Sequence, residues 1–323
     1  MNDQVSISTA NIRGAFGAFF IPGMYTALWA GFVPYLKAKL SIGADVLGSM
    51  ILLLSVGSCL SMAIAGKLVE SFGCKRVVLL VLLKILSLPV NQSIWGLLIV
   101  LFIAMVVVSQ FMLTFGSDPN AKVTKKSKSP LSFHPIALIF GLLSFVSYLV
   151  EGAVGDWSAL YLLEDKGILI EEAVMGVMLF NGTMCIGRLL GNRLGKHLTS
   201  KQVVVGGYLL GSIAMGLIVF LPGHASMYTY LLLGISLAMI VPNLFSAMGE
   251  QNVIPMTQAV ATSTMLGYMG ILMGPALIGF IAHGTSLTVA FIVLTTLLVV
   301  SAGIGKYAYH LMSKDCGLSE EQI

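Results

Sequence analysis

The sequence predicts an all-α polytopic membrane protein of about ten transmembrane helices, four in a first bundle and six in a second. Of its 323 residues, 57% are hydrophobic and only 10% are charged, whereas soluble domains carry roughly 25% charged and about 45–50% apolar residues. Apolar runs of about 20 residues, the length that crosses a bilayer, recur along the chain. The connections between them alternate between basic and acidic or neutral, as expected when the basic ones face the cytoplasm.

Four apolar runs precede the longest polar connection, and we interpret each as a spanning helix. They cover approximately residues 14–36, 45–68, 74–92 and 93–115. The first run is longer than the apolar core of a signal peptide and contains Pro22 and Trp29, so we expect it to be retained. The third is interrupted by Lys84, but counting it as a helix keeps the basic connections on either side at the same membrane face.

The polar segment 116–135 divides the chain in two. It contains four lysines and three prolines, which is typical of a flexible connection. We therefore predict an N-terminal bundle over residues 1–115, a cytoplasmic linker over 116–135 and a C-terminal bundle over 136–323. The lysines either belong to a solvated loop that obeys the orientation rule or attract anionic lipid.

Six more apolar runs follow the linker, and we predict that each spans the membrane. They cover approximately residues 136–162, 171–192, 203–221, 226–248, 258–282 and 287–311. The connection 164–172 is mainly acidic, whereas the connection 188–201 is basic. This alternation places both termini on the cytoplasmic side of the cell membrane.

A short charged segment, residues 66–76, lies between two long apolar runs and has the sequence GKLVESFGCKR. From its composition alone it is a connection whose basic residues keep it in the cytoplasm. It also resembles the signature loop between the second and third helices of the major facilitator superfamily. The matching positions are Gly66, Leu68, Gly73, Lys75 and Arg76, with Glu70 standing where the family has aspartate. Ser71 and Cys74 replace residues that are usually basic in that loop.

Two further segments strengthen the resemblance. Residues 151–161 (EGAVGDWSALY) and 266–275 (LGYMGILMGP) are similar to the seventh and eleventh helices of a bacterial branch of inner-membrane permeases related to fucose permease. The resemblance implies a two-bundle transporter of the major facilitator type that moves a small polar solute, such as a sugar, by alternating access coupled to protons. The partners are then the lipid bilayer, the solute and protons, and we expect a monomer.

The chain departs from this family in one respect. The family has twelve helices in two halves of six, whereas the first half here has four. The resemblance implies that the fourth and fifth helices are missing, with the junction near Pro89. The alternative function is therefore a shortened membrane protein that binds a ligand or partner without transporting it, or that is inactive.

Glu151 is the leading candidate for a functional residue. It lies about two-thirds of the way along its predicted helix, with Tyr148 one turn earlier on the same face. An unpaired carboxylate within a membrane costs several kcal/mol, so Glu151 must face a cavity, find a partner or become protonated. It is either a contact for proton or solute, or a packing carboxyl bonded to its neighbours.

Other polar and aromatic residues within the spans are candidates for solute or proton binding. With Glu151 and Tyr148 they are Asp156, Trp157, Asn181, Asn243, Tyr268 and Tyr25. Trp157 either stacks on the solute or belongs to the interfacial aromatic belt, and Asp156 is either a gate or a helix cap. Asn181 and Asn243 either line the cavity or bond neighbouring helices together.

The resemblance also implies a cytoplasmic gate and a flexible packing helix. The gate consists of Gly66, Leu68, Glu70, Gly73, Lys75 and Arg76, with Arg188 in the corresponding part of the C-terminal half. Gly270, Gly274 and Pro275 make the eleventh-type helix kinked and closely packed.

Enzymatic and metal-binding patterns are absent from the sequence. There is no HExxH and no phosphate-binding GxxxxGK[ST] motif, and the four cysteines are too scattered for a metal site or a disulfide framework. We expect neither catalytic activity nor a cofactor. The net charge of +4 lies in the connections and reflects membrane orientation, so we expect no nucleic-acid partner.

Overall fold

The computed structural model describes residues 33, 34, 37, 39–53, 133–194, 198–251 and 253–316. These residues form helices joined by short connections, without a strand among them. The helices are α1 (Ala44–Leu53), α2 (Pro135–Glu164), α3 (Ile170–Leu194), α4 (Ser200–Phe220), α5 (Gly223–Leu237), α6 (Ile240–Glu250), α7 (Met256–Gly284) and α8 (Leu287–Cys316). The all-α prediction is confirmed.

The chain separates into two compact units. One comprises Met1–Leu28 with Val56–Lys126, and the other comprises Trp29–Ser55 with Ser127–Ile323. All the described residues belong to the second, which we call the described unit. The domain boundaries drawn from the polar linker stay a prediction.

Six helical segments in the described unit are long and apolar enough to cross a membrane. They are Pro135–Glu164, Ile170–Gly191, Ser200–Phe220, Gly223–Gly249, Gln258–Gly284 and Leu287–Lys314. Each coincides with one of the six spans predicted after the linker, to within a few residues. The predicted spans 14–36, 74–92 and 93–115 lie wholly or almost wholly outside the described residues, as does the second half of 45–68, so the total of ten stays a prediction.

The fourth of these spans is broken in the middle. Its two halves, α5 and α6, are separated at Ala238 and Met239. Pro242 explains the break, because proline has no backbone N–H and its ring clashes with the carbonyl four residues earlier, which is that of Ala238. The Ala238 carbonyl oxygen therefore lacks the intrahelical donor that an unbroken helix would supply.

Glycines allow α2 and α7 to approach each other closely. A methyl group on Gly270 would collide with the carbonyl oxygen of Phe145, and one on Gly274 would lie 3.1 Å from the carbonyl oxygen of Leu149. Contacts at this distance are tighter than ordinary packing, so only glycine fits without a shift. Membrane helices use small residues in this way to bring their backbones together.

Hydrogen bonds from buried side chains tie other helices to α2. The Tyr208 hydroxyl of α4 donates to the Leu143 carbonyl at 2.7 Å and lies 2.8 Å from the Ser147 hydroxyl. Trp157 is fully buried, and its indole N–H donates to the Pro275 carbonyl of α7 at 3.2 Å. Buried polar groups need such partners, especially in a membrane. Helix α2 is therefore the central element of the described unit.

Polar contacts cluster where α2 ends and α3, α5 and α8 begin, and we call this region the acidic end. The contacts are Lys37 with Glu164 at 2.7 Å, Asp45 with His283 at 3.2 Å, Glu172 with His224 at 2.7 Å, Asp165 with Thr288 at 2.7 Å, and Lys166 with the carbonyl oxygens of Val219 and Leu221 at 2.6 and 2.9 Å. Burial lowers the pKa of Lys166. Together these contacts join the connections at this end to the segment around α1.

Candidate functional site

An ion pair between Glu151 of α2 and Arg188 of α3 forms the centre of the candidate site. The Nη2 atom of Arg188 lies 3.3 Å from both carboxylate oxygens of Glu151. The Glu151 side chain is 15% exposed and the Arg188 side chain is 46% exposed. One nitrogen thus bridges both oxygens, which leaves the pair looser than the two-nitrogen fork that arginine forms with a carboxylate in its strongest complexes.

The same arginine contacts the broken span. Its Nε donates to the Ala238 carbonyl at 3.4 Å, the oxygen that Pro242 deprives of an intrahelical donor. Arg188 reaches this carbonyl because α3 and α5 pack closely, with Gly187 against Ala238 and Gly234 against Phe180. The guanidinium therefore connects a carboxylate on α2 to a freed carbonyl between α5 and α6.

Two tyrosines lie next to this ion pair. The rings of Tyr148 and Tyr268 stack with centroids 5.8 Å apart and planes 16° from parallel. The Tyr148 ring also packs against Gly267, and Tyr148 is within electrostatic range of both Glu151 and Arg188. The structure thus places Tyr148, Tyr268 and Glu151 in one neighbourhood, at the contact of α2 with α7.

Asn181 provides a free polar group on the helix that carries Arg188. The two residues are seven positions apart on α3, which puts them on the same helix face. The Nδ2 group of Asn181 is buried and has no hydrogen-bond partner in the described unit. A buried amide donor without a partner costs free energy, so this position suits a ligand or a water molecule.

Other predicted residues lie apart from this neighbourhood or pack in the core. Trp157 is fully buried and bonded to Pro275, so its ring packs between α2 and α7 and has no exposed surface for a solute in this conformation. Asn243 donates to the Met239 carbonyl at 2.8 Å and accepts from Ser200 at 3.3 Å, which joins α6 to α4. Asp156, a half-buried residue of α2, is five positions beyond Glu151 and so lies on a different helix face.

The predicted cytoplasmic gate lies mostly outside the described residues. Gly66, Leu68, Glu70, Gly73, Lys75 and Arg76 are in that part of the chain, and so is Tyr25. Arg188 is described, and it lies within α3, six residues before the helix ends at Leu194. It lies three residues before the end of the span at Gly191 and pairs with Glu151, and its part in a cytoplasmic gate stays a prediction.

Two links in this site were not predicted from the sequence, although signals for both were present. Helices α2 and α3 are antiparallel and share one connection. Glu151 lies 13 residues before the end of α2, and Arg188 lies 18 residues after the start of α3. The two residues are therefore at similar distances from that connection. Pro242 within an apolar run signals a free carbonyl four residues earlier. Among the described residues, no group of three or more His, Cys, Asp or Glu side chains is placed to hold a metal ion.

Known proteins resemble this chain in sequence and in fold. No protein-family model matches it. It is 31% identical to an uncharacterised MFS-type transporter of Yersinia pestis, over 88% of this chain and 92% of the relative. It is 25% identical to the membrane protein MosC of Rhizobium meliloti, over 88% of each.

Solved structures of the fucose:proton symporter FucP share the fold. A variant of the E. coli protein aligns with a TM-score of 0.53 at 14% identity, covering 93% of this chain and 86% of that one. FucP in its outward conformation aligns with a TM-score of 0.52 at 14% identity, covering 91% and 83%.

The chain is a multi-pass helical membrane transporter, as its spanning helices and these relatives show. More particularly, the chain belongs to the major facilitator superfamily, with a fold related to that of fucose permease. The resemblance drawn from the sequence is thereby confirmed. The protein acts in a membrane, on a small solute.

Proposed function

We propose that the chain is a secondary transporter that moves a small polar solute by alternating access, with Glu151 as its proton-binding residue. The ion pair between Glu151 and Arg188 is the observation that carries the proposal. Arginine stays charged in proteins, and a charged side chain facing lipid is costly. Because the Arg188 side chain is 46% exposed within a spanning helix, we infer that its exposed part faces a polar cavity.

Protonation of Glu151 changes this site in a defined way. The neutral carboxyl no longer attracts the guanidinium, so Arg188 becomes available to the solute or to another partner. FucP, which shares the fold, is a fucose:proton symporter, and this supports proton coupling and a sugar or a similar small polar solute here. A residue that alternates between a paired anion and a neutral acid suits such coupling.

Alternating access requires helices that move against each other. Parallel repeats that rock around a site near the midplane of the membrane are one architecture of secondary transporters. The two bundles predicted over residues 1–115 and 136–323 would be the repeats that move, and the close glycine contact between α2 and α7 would hold the second of them together as it moves. The loop 66–76 would close the cytoplasmic side, with both termini in the cytoplasm, and the transporter would work as a monomer in the inner membrane.

The alternative function, a shortened membrane protein that does not transport, has support from the length of the N-terminal half. The match to the Yersinia pestis relative extends over 356 aligned positions, yet 88% of 323 residues is only about 284. About 70 aligned positions thus lack a residue of this chain, enough for two spanning helices of about 20 residues each with their connections. This supports the loss of two helices, and with it a shortened protein that binds a ligand without transporting it.

Proton flux in proteoliposomes tests the proposal. We expect L-fucose or another solute from a panel of neutral and acidic sugars to drive proton entry into vesicles loaded with a pH-sensitive dye. Glu151→Gln should abolish the solute-driven proton flux, because glutamine cannot take up a proton. Glu171→Gln, at an exposed glutamate of the acidic end, is the matched control and should leave the flux unchanged.

Two results would contradict this proposal. Full proton flux in Glu151→Gln would remove the proton-binding role of Glu151. A monodisperse, thermally stable protein that moves none of the solutes would favour the shortened, non-transporting alternative.

A further inference from the structure

We propose that the solute bound by this transporter is a small carboxylate, which replaces Glu151 as the partner of Arg188 when Glu151 is protonated. The inference rests on the proposed function and gives its solute a chemical class. It follows from the charges at the site, from the unused donors of Arg188 and from the free amide of Asn181.

The charge balance of the site favours an anion. In the described unit Glu151 is the acidic partner of Arg188, and the arginine remains charged when Glu151 takes up a proton. Arg188 then carries a positive charge without a partner inside a membrane span, which is costly unless another anion pairs with it. A monocarboxylate restores the balance, because one proton on Glu151 and one negative charge on the solute leave the total charge of the site unchanged.

Arg188 has the donors to bind such a group. Its Nη2 contacts Glu151 and its Nε contacts the Ala238 carbonyl, whereas its Nη1 has no partner in the described unit. The long Nη2 contacts of 3.3 Å leave room for a better partner, since charge-assisted bonds are usually about 2.7–2.9 Å. The guanidinium is therefore held in place by the carbonyl while its remaining N–H groups are available.

Asn181 offers a second contact on the same face of α3. Its buried Nδ2 donor lacks a partner in the described unit, so a hydroxyl or carbonyl group of the solute can satisfy it. The two residues are about 10 Å apart along the helix, given seven residues at about 1.5 Å each. This separation suits a carboxylate at one end of a molecule and a polar group at the other, as in a sugar acid.

Proton binding and anion binding then reinforce each other. The groups that surround Glu151 are Arg188 of α3, Tyr148 of α2, Tyr208 of α4 and, beside Tyr148, Tyr268 of α7. A tyrosine is neutral below about pH 9, so Glu151 is the member of this set whose protonation changes the charge of the site. Linkage requires that if protonation frees Arg188 for the anion, the bound anion equally favours protonation.

The test compares an acid with its neutral counterpart. The probes are D-galacturonate and D-galactose, which share a ring but differ in one carboxylate, with lactate and inorganic phosphate as further anions. Binding to the purified full-length protein is measured by isothermal titration calorimetry at pH 5.5, 6.5 and 7.5. We expect a carboxylate to bind at least tenfold more tightly than galactose at pH 5.5, and its affinity to fall by up to tenfold per pH unit.

Variants separate the inference from simple misfolding. Glu151→Gln should bind the carboxylate as tightly at pH 7.5 as the wild type does at pH 5.5, a gain that a misfolded protein cannot show. Arg188→Gln should lose the preference for the acid, and Arg188→Lys should keep part of it because the positive charge remains.

The possible results lead to distinct conclusions. Equal affinity for galactose and galacturonate, binding that ignores pH, or binding of phosphate but of no carboxylate would each overturn the inference. Proton-coupled transport of a neutral sugar without competition from carboxylates would overturn it while leaving the proposed function intact. Tight, pH-dependent carboxylate binding without flux in vesicles would support it and would instead contradict transport.

Discussion

At the scale of single residues, Pro242 and Arg188 act as a pair although they lie on different spans. The proline removes the N–H that would bond the Ala238 carbonyl, and the arginine donates to that carbonyl in its place. In hydrocarbon an unsatisfied backbone group costs several kcal/mol. The break in the span thus fixes the position of the guanidinium that pairs with Glu151.

Replacement of this proline tests the link. Pro242→Ala restores a backbone N–H that can bond the Ala238 carbonyl within the helix, so Arg188 loses an acceptor. Pro242 lies in the first turn of α6, where proline is tolerated, so we expect the unfolding temperature to change little, while the solute-driven proton flux falls several-fold because Arg188 loses its acceptor. Scanning fluorimetry and the vesicle assay measure the two effects.

The control is another proline outside a helix interior. Pro222, the N-cap of α5, can be changed to alanine without altering the Ala238 carbonyl. Wild-type flux in Pro242→Ala would show that Arg188 does not depend on this carbonyl.

The residue scale also shows what the sequence could not predict. Glu151 was found because a carboxyl in an apolar run demands an explanation, but its partner depends on the register between two antiparallel helices. Their positions differ by about five residues from the shared connection, or about 7 Å along the axis, a gap that the long arginine side chain spans. The sequence left two roles open for Trp157, because a tryptophan near a helix end can face a cavity, the membrane interface or a neighbouring helix.

At the scale of helices, the glycines of α7 determine how close α2 can come. Gly270 faces the backbone of Phe145 directly, and Gly274 faces that of Leu149. Backbone atoms cannot move aside as a flexible side chain can, so a larger residue at Gly270 forces the two helices apart. This contact lies beside Tyr148 and Tyr268 and therefore affects the site.

A pair of alanine substitutions measures this constraint. Gly270→Ala should lower the free energy of unfolding by about 1–3 kcal/mol, as overpacking does. Gly303→Ala, at an exposed helical position of α8 where a methyl group meets no atom within 4 Å, should be neutral or stabilising by up to about 1 kcal/mol. Unfolding in mixed micelles with increasing dodecyl sulfate compares the two, and equal stability would contradict the close contact.

The helices themselves were the most predictable part of the molecule. A run of about 20 apolar residues bounded by charges has few alternatives to a spanning helix, and all six runs after the linker became helices at the predicted positions. The break at Ala238 was not predicted, because the hydropathy of an apolar run shows that it can span a membrane but not where its backbone hydrogen bonds are interrupted. Packing faces such as that of Gly270 were suggested by the resemblance, but their partners on α2 required coordinates.

At the scale of the whole described unit, the acidic end is held together by side chains from several parts of the chain. Lys37 precedes α1 and pairs with Glu164, and Asp45 in the first turn of α1 pairs with His283. Gly48 of α1 packs against the backbone of Gly279 in α7. If the transporter works by alternating access, these contacts must break and re-form in each cycle.

A reversible cross-link at this end tests that requirement. Asp45→Cys with His283→Cys, in a variant without the four native cysteines, places two thiols where the native side chains lie 3.2 Å apart. We expect a short thiol-specific cross-linker to stop solute-driven proton flux and a reducing agent to restore it. Each single-cysteine variant is the control, and undiminished flux in fully cross-linked protein would show that the acidic end stays closed throughout.

The pairing of Glu151 with Arg188 also bears on how the chain enters its membrane. Glu151 lies near the centre of α2, where a charged residue raises the apparent free energy of insertion by about 2.5–3.5 kcal/mol, so α2 inserts less readily when alone. The two helices are consecutive and joined by only five residues, which lets them leave the translocon as one hairpin. Because the opposite charges meet inside that hairpin, the bond that serves the mature transporter also neutralises its charge during synthesis.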